Sequence, residues 1–104
     1  MIVKSNYVAF YCDECDLLEP VIKIFNALHP AIVVRTYSDI KELVSHTNEQ
    51  LPLLILVYLS KPHHDFMTPV KYLRENVNSD SIPVVIYHHL PEEEELRDLF
   101  KKIF

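Results

Sequence analysis

Hydrophobic and polar positions alternate between two periods along this chain. Tyr7 to Tyr11 is a short apolar run without helical spacing, which predicts a buried first strand ending near Cys12. From Asp16 onward, Leu17, Leu18, Val21, Ile22, Phe25 and Leu28 recur at helical spacing, and Asp16 with Glu19 forms a capping-box pattern. Pro20 then falls in the first turn, where the backbone donors lack intrahelical partners anyway. His29-Pro30 closes this helix, and the β-branched run Ala31 to Thr36 predicts a second strand. Ser38 or Asp39 caps a short second helix reaching His46. Leu53 to Tyr58 is the most apolar stretch and too short for a helix, so it is expected as a central strand buried on both faces. Thr68-Pro69 is read as a cap followed by proline at the first position of a third helix, which carries Val70 and Leu73 and frays at Glu75-Asn76. Ile82 to Tyr87 is the fourth strand. Pro91 opens a last helix with Glu92 to Glu95 in its first turn and Lys101 and Lys102 in its last, an order that suits the helix dipole. Leu96, Leu99, Phe100 and Ile103 form its buried stripe, and the four glutamates read as a solvated helix start. The Met and Phe residues read as core.

This alternation of strand and helix implies right-handed crossovers and a parallel sheet covered on both faces, a doubly wound α/β fold. The 104 residues fit one domain, 1–104, and 49% hydrophobic with 24% charged residues is ordinary for a packed protein. There is no glycine, which excludes the phosphate cradles of the P-loop and dinucleotide types. Positive-φ turn positions are therefore expected at Asn, Asp or His, such as Asn76, Asn78 and His63. A formal charge of −5 without a basic cluster argues against nucleic acid. No apolar run is long enough to span a membrane, and the first residues lack the order of a signal peptide, so the expected address is the cytoplasm. Cys12 and Cys15 lie three apart, too close for a secreted disulfide framework, and are expected as thiols.

Leu53 to Tyr58, followed by Leu59-Ser60-Lys61-Pro62, then Asp65, then Val70 to Asn76, resembles the third strand, loop and third helix of response-regulator receiver domains. Ile82-Pro83-Val84-Val85-Ile86 is similar to their fourth strand. The resemblance implies a CheY-like, flavodoxin-like sheet, here with four strands in the order 2-1-3-4. It also implies a phosphoacceptor Asp at the end of strand three, with Mg²⁺ held by that Asp and an acidic pair after strand one. Four residues back from Pro62, the acceptor position is Tyr58, and a phenol cannot become an acyl phosphate. The acidic pair matches Cys12 and Asp13, or Asp13 and Glu14 after a slip of one, so Asp13 and Glu14 are a residual acidic pocket. The switch position matches His88, and His89 replaces the small residue after it. Only 15 residues follow His89, too few for a further helix, strand and helix, so one βα unit is missing. The closing helix resembles both the family's fourth and its last.

In a sheet of this order, ligands bind at the carboxyl ends of the strands, near the switch between strands one and three. That edge gathers Cys12, Cys15, Tyr58, His63, His64, Asp65, His88 and His89. Two alternative chemistries follow from this. Cys12 and Cys15 with His88 and His89 are zinc-type ligands. Tyr11-Cys12-Asp13-Glu14-Cys15 with Pro20 also resembles the Cys-x-x-Cys site of thioredoxin-like proteins, although Asp13, Glu14 and Asp16 would raise a thiol's pKa. The expected function is a non-phosphorylatable pseudo-receiver: a non-enzymatic protein-interaction module in two-component-type signalling. Without a fifth strand, Val84-Val85-Ile86 becomes an apolar edge, which predicts a homodimer through strand four or the terminal helix.

Overall fold

A computed structural model describes residues 6–14, 18–59, 67–77 and 81–103. The elements are β1 (Tyr7–Cys12), α1 (Glu19–Leu28), β2 (Val33–Tyr37), α2 (Ile40–Glu49), β3 (Ile55–Tyr58), α3 (Met67–Asn76), β4 (Val84–Tyr87) and α4 (Glu93–Ile103). The four strands pair in parallel in the order β2-β1-β3-β4. All six residues of β1 are buried, as befits a strand covered on both faces.

The period of two divides the core cleanly. Tyr7, Ala9, Tyr11, Ile55 and Val57 face one way, where they meet Leu43 and Val44 of α2 and Leu73 of α3. Val8, Phe10, Cys12 and Leu56 face the other way, against Leu18, Val21 and Phe25 and against Leu96 and Phe100 of α4. Phe100 stands edge-on to Phe25, with ring centroids 4.7 Å apart, and this contact ties α4 to α1.

The face that α4 occupies follows no ordinary crossover. Right-handed connections place helices of same-direction crossovers on one face. The step from β1 to β2 runs one way, whereas the steps to β3 and β4 run the other, so α2 and α3 share a face and α1 lies opposite. A helix leading on to another strand beyond β4 would join α2 and α3. Instead α4 packs beside α1. It therefore lies where no right-handed crossover to a strand beyond β4 would place it.

Several local expectations are corrected. α1 begins at Glu19 with Leu18 rather than Asp16 at the cap position and no side-chain capping bond from it, and the Glu19 carboxylate lies 3.7 Å from Lys23 Nζ. Asp16 and Leu17 lie outside the described residues. Pro20 does fall in the first turn. α3 begins one residue before Thr68, which is thus inside the helix rather than its cap. α4 begins at Glu93 rather than Pro91, with Glu92 at the cap position, its carbonyl accepting from the Leu96 N–H at 3.0 Å. β2 starts two residues later than Ala31, at Val33, and runs to Tyr37. Asn76 is helical, and no described residue has positive φ; Asn78 and His63 lie outside the described residues. Asp39 caps α2 as expected, its carboxylate accepting from the Lys41 N–H at 3.0 Å.

Candidate functional site

The carboxyl ends of the strands converge on one line of three side chains. Cys12 lies opposite Tyr58 across the β1–β3 pair, and Tyr58 lies opposite Tyr87 across β3–β4. Directly paired residues share a face, so all three belong to the side covered by α1 and α4. Cys12 is fully buried, and Tyr58 and Tyr87 are half-buried against the same core. Burial pushes the Tyr87 phenol above its ordinary pKa, and the nearby Glu95 carboxylate pushes it the same way.

The turn after β1 is held by its own polar atoms. The Cys12 thiol donates to Asp13 Oδ1 at 3.4 Å, and the Glu14 N–H donates to Asp13 Oδ1 at 3.1 Å and to Cys12 Sγ at 3.4 Å. Asp13 and Glu14 are exposed. One Asp13 oxygen thus already accepts two bonds that fix the turn.

At the end of β4, His88 and His89 are exposed. His89 turns along its own segment, with Nε2 2.9 Å from Glu95 Oε2 and its ring 5.7 Å from that of Tyr87. Glu95 Oε1 also accepts from the Glu92 N–H at 3.3 Å, so Glu92 to Glu95 form half of a capping box at the start of α4. The His89 hydrogen bond first, and the Glu92 bond second, hold the Glu95 carboxyl below the ordinary glutamate value. The glutamate run reads in the sequence as a solvated helix start, yet Glu95 has a defined partner. The spacing of three between Glu92 and Glu95 was the available signal.

The structure therefore pairs Cys12 with Tyr58, sets Asp13 and Glu14 in the turn that follows Cys12, and takes His89 to Glu95. Among the described residues, no group of three or more His, Cys, Asp or Glu could hold a metal ion. Cys15, His63, His64 and Asp65 lie outside the described residues. Among the described residues, the donors at this edge are a poor match to Mg²⁺. A hard cation seeks a shell of oxygens, whereas here a buried soft thiol and a half-buried phenol accompany the turn-bound Asp13 carboxylate and the exposed Glu14.

No protein-family model and no curated protein sequence matches the chain. Among solved structures, it is similar to the chemotaxis protein CheY4 of Vibrio cholerae, with a TM-score of 0.55 over 98% of this chain and 100% of that one, at 8% sequence identity. The fold is that of a CheY-like receiver. Its four parallel strands in the order 2-1-3-4 and four helices match that flavodoxin-like arrangement with one βα unit fewer. Because α4 lies on the α1 face, the unit absent from this receiver fold is the one between β4 and the closing helix. No helix among the described residues is long and apolar enough to cross a membrane.

Proposed function

We propose that the chain is a pseudo-receiver: a non-enzymatic protein-interaction module in two-component-type signal transduction that binds its partner without being phosphorylated. The observation that carries this reading is Tyr58 at the end of β3, half-buried between the positions of Cys12 and Tyr87 where a receiver fold would place its phosphoacceptor. A phenol forms no acyl phosphate, and the neighbouring donors suit no Mg²⁺. Such a domain acts through its surface, in the cytoplasm, with other copies of itself or a signalling protein as partner. The net charge of −5 disfavours nucleic acid. The thiol–disulfide reading is weaker, because a nucleophilic thiolate must be reached by its substrate and Cys12 is fully buried.

The test is a titration of labelled protein with beryllofluoride and Mg²⁺, read by amide chemical shifts. The expected result is no movement around Asp13, Tyr58 and Tyr87. Saturable shifts centred on those residues would revive phosphotransfer and overturn the proposal.

A further inference from the structure

Pairing with β3 uses one side of β4. The Ile55 N–H donates to the Pro83 carbonyl at 3.0 Å, and the Leu59 N–H to the Tyr87 carbonyl at 2.9 Å. Backbone groups along a strand alternate sides, so Pro83, Val85 and Tyr87 address β3 while Val84 and Ile86 present their N–H and C=O groups outward. Among the described residues no strand pairs with that outer side. The strand Val84-Val85-Ile86-Tyr87 carries no charge and no proline, the devices that ordinarily blunt an edge.

The helix above this edge is complementary to itself. Leu96 and Phe100 of α4 point into the core, and Arg97, Phe100 and Lys101 line a groove shared with Leu28 and His29 at the end of α1. At 100° per residue, the opposite flank of α4 carries Glu95, Leu99 and Lys102. That flank lies over β4, since His89 links Glu95 to the Tyr87 ring. From Glu95 to Leu99 the helix rises about 6 Å, and from Tyr87 to Val85 the strand descends about 6.6 Å. Leu99 therefore sits level with Val85, and both are partly buried against the same core.

We propose that a second copy of this chain adds to the β4 edge antiparallel, across a two-fold axis through Val85. Val84 then exchanges both backbone hydrogen bonds with the partner's Ile86, and Ile86 with the partner's Val84, giving an eight-stranded sheet. The same axis lays α4 antiparallel to its copy. Strands about 4.8 Å apart and helices lying over β3 and β4 put the two helix axes roughly 10 Å apart, a normal packing distance. Leu99 meets the partner's Leu99, and Glu95 meets the partner's Lys102, with a mismatch of only about 1.5 Å along the axis. The acidic first turn and basic last turn of α4 are what make a second copy, rather than an unlike partner, the fitting occupant. This inference deepens the interaction-module reading by naming the partner, yet a monomeric result would leave the beryllofluoride outcome untouched.

The experiment is sedimentation of the full chain from low to high micromolar concentration, with amide spectra confirming that each variant is folded. A monomer–dimer equilibrium is expected. Lys102→Glu should weaken it about tenfold, because both symmetric pairs turn repulsive, and the double variant E95K/K102E should recover most of that loss. Under mild oxidation Leu99→Cys should give a covalent dimer, whereas Val33→Cys, exposed on β2 at the far edge of the sheet, should give no more than the wild-type background. A folded wild type that stays monomeric overturns the proposal. So does a dimer indifferent to Lys102→Glu, or one whose Val33→Cys copies cross-link as readily as the Leu99→Cys copies.

Discussion

Glu95 shows how much one side chain at a helix start can organise. Its carboxylate receives the His89 ring and the Glu92 N–H, and both bonds favour the ionised form. His89→Ala should therefore move the Glu95 pKa up toward the ordinary glutamate range, as read by carboxyl carbon shifts in an NMR titration. The folded value lies below the unfolded one, so the stabilisation is present above the unfolded glutamate pKa and disappears as pH falls through the folded value. Urea midpoints of wild type and variant should accordingly separate near neutral pH and converge in acid. An unmoved Glu95 titration would show that the contact is not made in solution. Residue chemistry of this kind was partly legible: Tyr58 at the end of β3 could be read from the apolar run that it closes. Which way His89 turns could not, because zinc ligation and pairing with Glu95 use the same imidazole.

At the scale of elements, α1 and α2 begin by different means. α2 has a capping carboxylate on Asp39, whereas α1 starts at Leu18 without one and is held by the burial of Val21 and Phe25. Asp39→Ala should destabilise the fold by about 1 kcal/mol, measured by urea denaturation, since the Lys41 N–H loses its acceptor. A change of only a tenth of that would mean water replaces the cap at no cost. The Asp39 cap was legible because a cap is a local bond between neighbours in sequence. α1 has Leu18 at its cap position instead, a residue fully buried in the core, so packing sets where this helix enters. Propensity proposes a helix start, and burial decides among nearby ones.

In the whole molecule, α4 is the element whose placement matters most. Phe100 is buried and stands edge-on to Phe25 and to His29, at 4.7 and 5.1 Å, so it joins the closing helix to the α1 layer. Phe100→Ala should cost roughly 3–5 kcal/mol in chemical denaturation, against less than about 0.5 kcal/mol for an exposed control such as Asp98→Ala. Equal effects for the two would mean that α4 is not docked on α1.

The sequence by itself determined the order of strands and helices, the parallel doubly wound class and the tyrosine that ends β3. Each of these rests on periodicity or on the identity of a residue, both of which are carried along the chain. Only the tertiary structure decided that α4 lies with α1, that Cys12 is buried, and that Leu99 packs in the same core layer as Val85 and Tyr87 of β4. A helical stripe states that a face is buried but not against which layer. That choice is made when Leu96 and Phe100 find Phe25 across the sheet.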